Sequence, residues 1–382
     1  MKKNILIVLA LIIATSMILA SCATPTPERI VETQIVEVEK EVIKTVEVEK
    51  EVITTQIVEV EKEVVDDAAV AKEFLAGKKI CAVLPGPVND GGWNSMAYSG
   101  LVNLRDNFGM EMAYRERTKA EEAAALMREY AESGCNIIQA HGSEYSDQIN
   151  QVALEYPDVQ FMQLSRCQGQ EPNVVGLCYS TGEGGYFIGR LAAQMTKTGK
   201  IAFIVGQKYP NMDWQPHMAQ QAVTDMGLDY VVEEHEVGSW DDPAKAKELA
   251  KALIEQDFDV IVLLADSGDT GTIEAIKEAR DAGKEVWGIS WVKDKNYLGR
   301  DFILGGWEEK SYKQMEYAAV QYALNGAPVG VGFPLGISDG VVALNPTYGL
   351  VSTEIEEDVF NLFKQYVEDP TSIPNLVVRD DL

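Results

Sequence analysis

From Lys79 onward the chain alternates short apolar runs with longer amphipathic stretches. The runs Cys81–Leu84, Asn136–Gln139, Phe161–Leu164, Ile201–Val205, Val260–Leu264 and Val286–Ile289 soon give way to glycine or polar residues. Between them, apolar residues recur at helical spacing over Ser95–Phe108, Ala120–Ser133, Asp147–Glu155, Gly185–Lys197, Asp213–Met226, Pro243–Gln256, Gly271–Ala282 and Glu308–Asn325. Short runs without polar alternation are strands buried on both faces, and their alternation with helices predicts an α/β fold with parallel sheets. The stretch from Asp67 to Leu382 is longer than one compact core usually holds, so two lobes are expected. In open parallel sheets the residues just past each strand's carboxyl end line the ligand crevice. Those ends read Gly86–Asn94, His141-Gly142-Ser143, Gly206-Gln207-Lys208, Ala265-Asp266-Ser267-Gly268 and Ser290-Trp291. Functional residues are expected there.

The first residues follow a different pattern. Lys2 and Lys3 precede an uncharged run from Ile5 to Ala20, the charged-then-apolar order of a secretory signal. A transmembrane helix is the competing reading, and the run is slightly short for one. It stops at Leu19-Ala20-Ser21-Cys22, which resembles the bacterial lipobox. That resemblance implies cleavage before Cys22 and a diacylglyceryl anchor on its sulfur. Downstream, Val-Glu-Val-Glu-Lys-Glu-Val recurs at 36–42, 46–52 and 58–64, and residues 23–67 hold 13 acidic and 5 basic side chains. So charged a segment buries no core of its own and reads as a solvated stalk. Its β-branched residues, from Val31 to Val64, also follow an eleven-residue helical period, which leaves an oligomerising coiled coil open.

Composition narrows the chemistry. A net charge of −27 argues against nucleic acid and anionic membrane surfaces as partners. The three histidines, His141, His217 and His235, match no zinc spacing, and neither a Gly-x-Ser-x-Gly elbow nor a phosphate-binding loop occurs. No enzyme, metal or cofactor is indicated. Besides Cys22 there are four cysteines. Cys167 and Cys178 flank a Gly/Gln/Pro loop and form a candidate disulfide, whereas Cys81 and Cys135 each open an apolar strand and read equally well as core thiols. Tryptophan stands out instead. Of six, Trp93, Trp240, Trp291 and Trp307 lie after strands or before helices rather than inside apolar runs. Flat side chains at a crevice suit stacking on a planar ligand, while the alternative for each is a plug at the end of a lobe's core.

Two segments carry a family resemblance: Val88-Asn89-Asp90-Gly91-Gly92-Trp93-Asn94-Ser95-Met96-Ala97-Tyr98-Ser99-Gly100 and Gly238-Ser239-Trp240-Asp241-Asp242-Pro243-Ala244-Lys245. With Tyr156–Phe161 and the helix at 185–193, they resemble the basic membrane protein family of lipoproteins. These are substrate-binding subunits of ABC transporters for purine nucleosides or bases. The resemblance runs from Lys79 to about Asn345. It implies a type I periplasmic binding fold, two doubly wound α/β lobes joined by three crossings. It also implies a base sandwiched between Trp93 and Trp240, with polar contacts from Asp90, Asn94, Gly142, Ser143 and Asp266. The expected organisation is a signal peptide over 1–21, a lipidated acidic stalk over 22–70, a first lobe from 75–181 plus 302–328, and a second from 182–301 plus 329–382. A monomer outside the cytoplasm, held by its lipid and served by a permease and its ATPase, completes the expectation.

Two departures from the family pattern bear on the ligand. Nucleoside-binding members carry Gly-Val-Asp-x-Asp-Gln and a lysine that grip the ribose, whereas this chain has Gly288-Ile289-Ser290-Trp291-Val292-Lys293 and, near the lysine position, Glu308-Glu309. A free purine is therefore preferred to a nucleoside, with Trp291 or Trp307 filling the space of the sugar. A sugar-binding protein, a surface receptor or adhesin built around the stalk, and an exported hydrolase are the competing readings.

Overall fold

Two six-stranded sheets organise the described residues of the computed structural model, which are 67–179, 182–208, 214–326, 330–373 and 376. The signal and Cys22, the 36–64 repeats and most of the 22–70 stalk lie outside them. The first sheet is built on β1 (Lys79–Val83), β2 (Glu111–Arg115), β3 (Ile137–His141), β4 (Gln160–Leu164) and β5 (Val174–Tyr179). The second repeats the plan with β6 (Lys200–Val205), β7 (Val231–Glu236), β8 (Val260–Leu264), β9 (Trp287–Val292) and β10 (Ile303–Glu309). β11 (Gly332–Leu335) extends the first sheet beside β5, and β12 (Val342–Leu344) closes the second antiparallel to β10. All other pairings between these strands are parallel.

Ten helices cover these sheets among the described residues: α1 (Asp67–Leu75), α2 (Trp93–Phe108), α3 (Ala120–Glu132), α4 (Ser146–Glu155), α5 (Glu183–Met195), α6 (Trp214–Asp225), α7 (Pro243–Glu255), α8 (Asp269–Asp281), α9 (Ser311–Asn325) and α10 (Thr353–Glu368). β3, β4 and β8 are buried at every position, because helices cover both faces of a parallel sheet. The edge strands β2 and β7 are half exposed. Their mixed sequences, Glu-Met-Ala-Tyr-Arg and Val-Val-Glu-Glu-His-Glu, therefore lack the apolar runs that mark the central strands. In each sheet the order reverses beside the first strand: β2-β1-β3 in one and β7-β6-β8 in the other. At such a reversal the connections leave to opposite faces and open a crevice.

The lobe boundaries differ from the sequence expectation at the carboxyl-terminal end. The sequence places residues 302–328 in the first lobe, but β10 pairs with β9 in the second, and only α9 packs on the first, against α1 and α2. It places residues 329–382 in the second lobe, yet β11 belongs to the first sheet. The helix expected from Glu308 begins at Ser311, because Trp307–Glu309 still pair in the sheet. The expected stalk to residue 70 overlaps α1, whose Ala71 and Leu75 are fully buried. Glu183 ties two crossings and the last helix together: its carboxylate accepts from Tyr366 Oη (3.1 Å) and from the Ile337 amide (3.4 Å). Among the described residues two disulfides are present, Cys167–Cys178 and Cys81–Cys135. The second links β1 to the turn before β3.

Candidate functional site

The crevices of the two sheets face each other, and the loop after β1 supplies the first wall. Asp90 shapes it. Its carboxylate accepts from the amides of Gly92 (2.9 Å), Asn94 (2.8 Å) and Ser95 (3.0 Å) and from Asn94 Nδ2 (2.8 Å). An acidic side chain here satisfies the open amides at the start of α2 and suits the positive end of its dipole. Asn94 Oδ1 in turn accepts from the Gly86 amide at 3.0 Å. Sequence reasoning expected both residues to contact ligand. The structure engages them in building the loop that carries Trp93.

Trp93 is half buried, and its indole stacks on the His141 ring at the end of β3, with centroids 4.2 Å apart and planes at 24°. His141 Nε2 lies 2.9 Å from the Trp93 carbonyl, and Nδ1 lies 3.1 Å from Gln139 Nε2. A carbonyl only accepts, so Nε2 carries the proton and Nδ1 accepts from Gln139. Burial depresses the His141 pKa to about 4. The ring is therefore neutral near pH 7, and it fixes both the plane and the backbone of Trp93. Gly142 follows with φ +144°, a backbone that side chains rarely adopt, and its carbonyl accepts from Gln163 Nε2 at 3.1 Å. Ser143 is exposed.

The second wall comes from β6, β7 and β8. Trp240 is half buried and its indole packs against Gly206 just past β6, where a Cβ would sit 2.3 Å from the indole. Its carbonyl accepts from the Gly268 amide at 3.3 Å, which joins the Trp240 loop to the turn holding Asp266. Asp266 adopts a left-handed backbone, φ +49°, and its Oδ1 accepts the Trp93 amide of the opposite lobe at 3.1 Å. That contact needs glycine at 92, since a Cβ there would lie 2.0 Å from the same oxygen.

Behind Asp266 lies an ion pair that sequence reasoning missed. Lys295 Nζ is 2.9 Å from Asp269 Oδ2, with side chains only 3 % and 1 % exposed. Lys295 Nζ also donates to the Trp291 carbonyl (2.7 Å), and Asp269 Oδ1 accepts from the Ala265 amide (2.9 Å). The pair partly offsets the acidity gathered here. Burial, and then the charge of Asp90, push the Asp266 pKa up to about 8, against the pull of Lys295 and the Trp93 amide. Only the 173-residue separation between Trp93 and Asp266 brought together by the fold makes this cluster visible.

Trp291 and Trp307 do not join the cleft. They are 1 % and 2 % exposed and pack in the second lobe's core, Trp291 edge-on to Phe203 and Trp307 beside Phe187 and Phe363. Trp291 Nε1 donates to Glu309 (3.1 Å), whose pKa burial raises to about 7. β9 and β10 are central strands, so their inward side chains meet α5 rather than ligand. Among the described residues no group of histidine, cysteine and acidic side chains could hold a metal ion.

Four buried groups make stability depend on pH. Burial raises Asp266 to about 8 and Glu183 and Glu309 to about 7, so their contribution is full below the unfolded carboxyl range and is lost as pH rises toward those values. His141, lowered from 6.5 to about 4, opposes them, and its effect ends by pH 6.5. Between pH 6.5 and 8 the carboxyls act alone, each lowering stability by up to about 1.4 kcal/mol per pH unit until it ionises. The thermal midpoint is expected to fall over that interval, and less steeply in Asp266→Asn. A midpoint that rises from pH 6.5 to 8 contradicts this.

Residues 77–376 match the Bmp family model, described as ABC transporter substrate-binding protein PnrA-like. The chain is 26 % identical over 296 residues to the transcriptional activator protein med of Bacillus subtilis, covering 76 % of this chain and 88 % of that one. It is 23 % identical to basic membrane protein A2 of Borrelia garinii, covering 78 % and 88 %, and 28 % identical to a purine-binding protein of Brucella abortus, covering 55 % and 59 %. Among solved structures, an ABC transporter solute-binding protein from Aeropyrum pernix superposes with a TM-score of 0.69 over 80 % of this chain and 94 % of its own, at 16 % identity. No helix among the described residues is long and apolar enough to cross a membrane.

Proposed function

The chain belongs to the Bmp family of ABC transporter substrate-binding proteins, and from that premise we propose that it captures a free purine between its lobes. As a member of that family it is a solute-binding protein, not an enzyme, and such proteins of ABC importers work outside the cytoplasm. One observation carries the ligand reading: Trp93 presents a half-exposed indole, braced from behind by His141, beside the Asp266 carboxyl of the opposite lobe. An aromatic face stacks on a flat ring, and a buried carboxyl discriminates for ligands whose ring nitrogens or N–H groups can pair with it, because a ligand lacking them leaves it without that partner. The purine-binding relative from Brucella abortus supports the same class.

A free base is preferred to a nucleoside. Ser290, at a position where nucleoside binders carry an acidic residue, is engaged internally: its Oγ donates to the Leu304 carbonyl (3.1 Å) and accepts from the Lys295 amide (3.0 Å). The bound ligand passes to a membrane permease driven by a separate ATPase, and Cys22 holds the protein to the bilayer through its acyl chains. Loss of acyl labelling in Cys22→Ser is the check on the anchor. Titration calorimetry of adenine, guanine, their nucleosides and a panel of sugars tests the ligand. Heat of binding from a purine base, weaker for its nucleoside and absent for the sugars, is the expected result. Binding of a sugar alone overturns the reading.

A further inference from the structure

Outside the pocket, one ion pair joins the lobes at the cleft's rim: Arg117 Nη1 lies 2.9 Å from Asp241 Oδ2. Arg117 follows β2 in the first lobe, and Asp241 follows Trp240 in the second. Each is bound to the loop that carries an aromatic wall. On the first side, the Arg117 amide donates to the Gly86 carbonyl (3.4 Å) and Glu116 Oε1 accepts from the Val88 amide (2.5 Å), so segment 116–118 is stitched to the loop ending at Trp93. On the other, the Asp241 amide donates to Ser239 Oγ (3.1 Å) and the Gly238 amide to the Gly206 carbonyl (2.8 Å), beneath the Trp240 ring. We propose that Arg117 and Asp241 form a clasp that holds the two aromatic loops in register when the lobes close.

An exposed ion pair within one rigid body contributes little, because water screens it in every state. This pair differs in where its energy acts. Its members sit on separate lobes, so the contact exists only when the lobes meet, and all of its free energy enters the equilibrium between open and closed forms. With side chains 62 % and 46 % exposed, the effect on that equilibrium is modest, about two- to fivefold. Reversal of one charge adds repulsion to the loss. Removing Arg117 leaves Asp241 without this cation. Both residues are positioning residues, and neither is assigned a contact with ligand.

The Trp93 amide reports closure without any ligand, because its acceptor, Asp266, lies on the other lobe. The neighbouring amides of Gly92, Asn94 and Ser95 are bonded to Asp90 in their own loop and serve as internal references. Hydrogen exchange resolved to single residues is measured on the full chain with no added ligand, so the outcome does not depend on whether purines bind. In Arg117→Glu the Trp93 amide is expected to exchange about two- to tenfold faster while the three reference amides keep their rates. Asp241→Lys, made from the other lobe, reproduces the change, and the double exchange Arg117→Glu with Asp241→Lys returns the rate toward that of the parent. Near 1 M salt, where the screening length shrinks to about 3 Å, the difference between parent and single variants narrows. Unchanged Trp93 exchange in both single variants overturns the clasp. So does a double variant that exchanges as fast as the singles.

Discussion

Trp93→Ala is expected to weaken purine binding by about 5- to 150-fold, the range that corresponds to loss of one base–aromatic stack. Fold stability should change much less. The indole is half buried, and the contacts that hold the loop, Asp90 to the amides of α2 and His141 to the Trp93 carbonyl, involve backbone atoms that alanine retains. Trp93→Phe, which keeps a flat ring over His141, is expected to recover most of the affinity. Trp240→Ala should lose a comparable factor, since its ring packs against Gly206 across the cleft. Calorimetric affinities paired with thermal midpoints check the set. Purine affinity unchanged by Trp93→Ala at an unchanged midpoint removes the stack from the mechanism.

Lys295→Met carries the largest expected loss of stability, about 3–5 kcal/mol, because it strands Asp269 without its cation in a site that is 1 % exposed. The cost comes from the uncompensated charge rather than from any net gain the pair provides. Adding Asp269→Asn to that variant removes the stranded charge and leaves an oxygen able to accept from the Ala265 amide, so the double variant should regain a large part of the loss. Lys295 also lowers the Asp266 pKa, so its removal should move the pH dependence of the midpoint upward. Urea unfolding of the parent, the single and the double variants measures these differences. A double variant no more stable than the single would mean that Lys295 acts through packing and not through charge.

Much of the architecture was legible in the chain. Strands buried on both faces are mostly apolar, which is why β8, Val-Ile-Val-Leu-Leu, stands out in the sequence, as do the apolar cores of β3 and β4 despite their buried Gln139, Gln160 and Gln163. Edge strands have no such requirement, and β2 and β7 went unrecognised for that reason. β10 was obscured because Gly305-Gly306-Trp307-Glu308-Glu309 has neither an apolar run nor alternation, and only its pairing with β9 and β12 makes it a strand.

The candidate site divides in the same way. Glycine and polar residues at strand ends marked Trp93, Gly142 and Asp266, because a parallel sheet places every such end on one side, whereas Trp240 was marked by its place outside the apolar runs and by the family resemblance. That inference needs only local pattern and topology. Which end meets which did not follow from it. The Trp93 amide and the Asp266 carboxylate, the Lys295–Asp269 pair and the Arg117–Asp241 pair join residues that no period or spacing relates. Likewise Trp291 and Trp240 look alike in sequence, each beside a strand end, yet one is core and the other lies at the cleft. The chain by itself determined its two-lobed α/β plan and the strand-end loops that meet between the lobes, since these follow from hydrophobic pattern. The tertiary structure decided the partners, because burial and charge pairing depend on distances that only the closed fold sets.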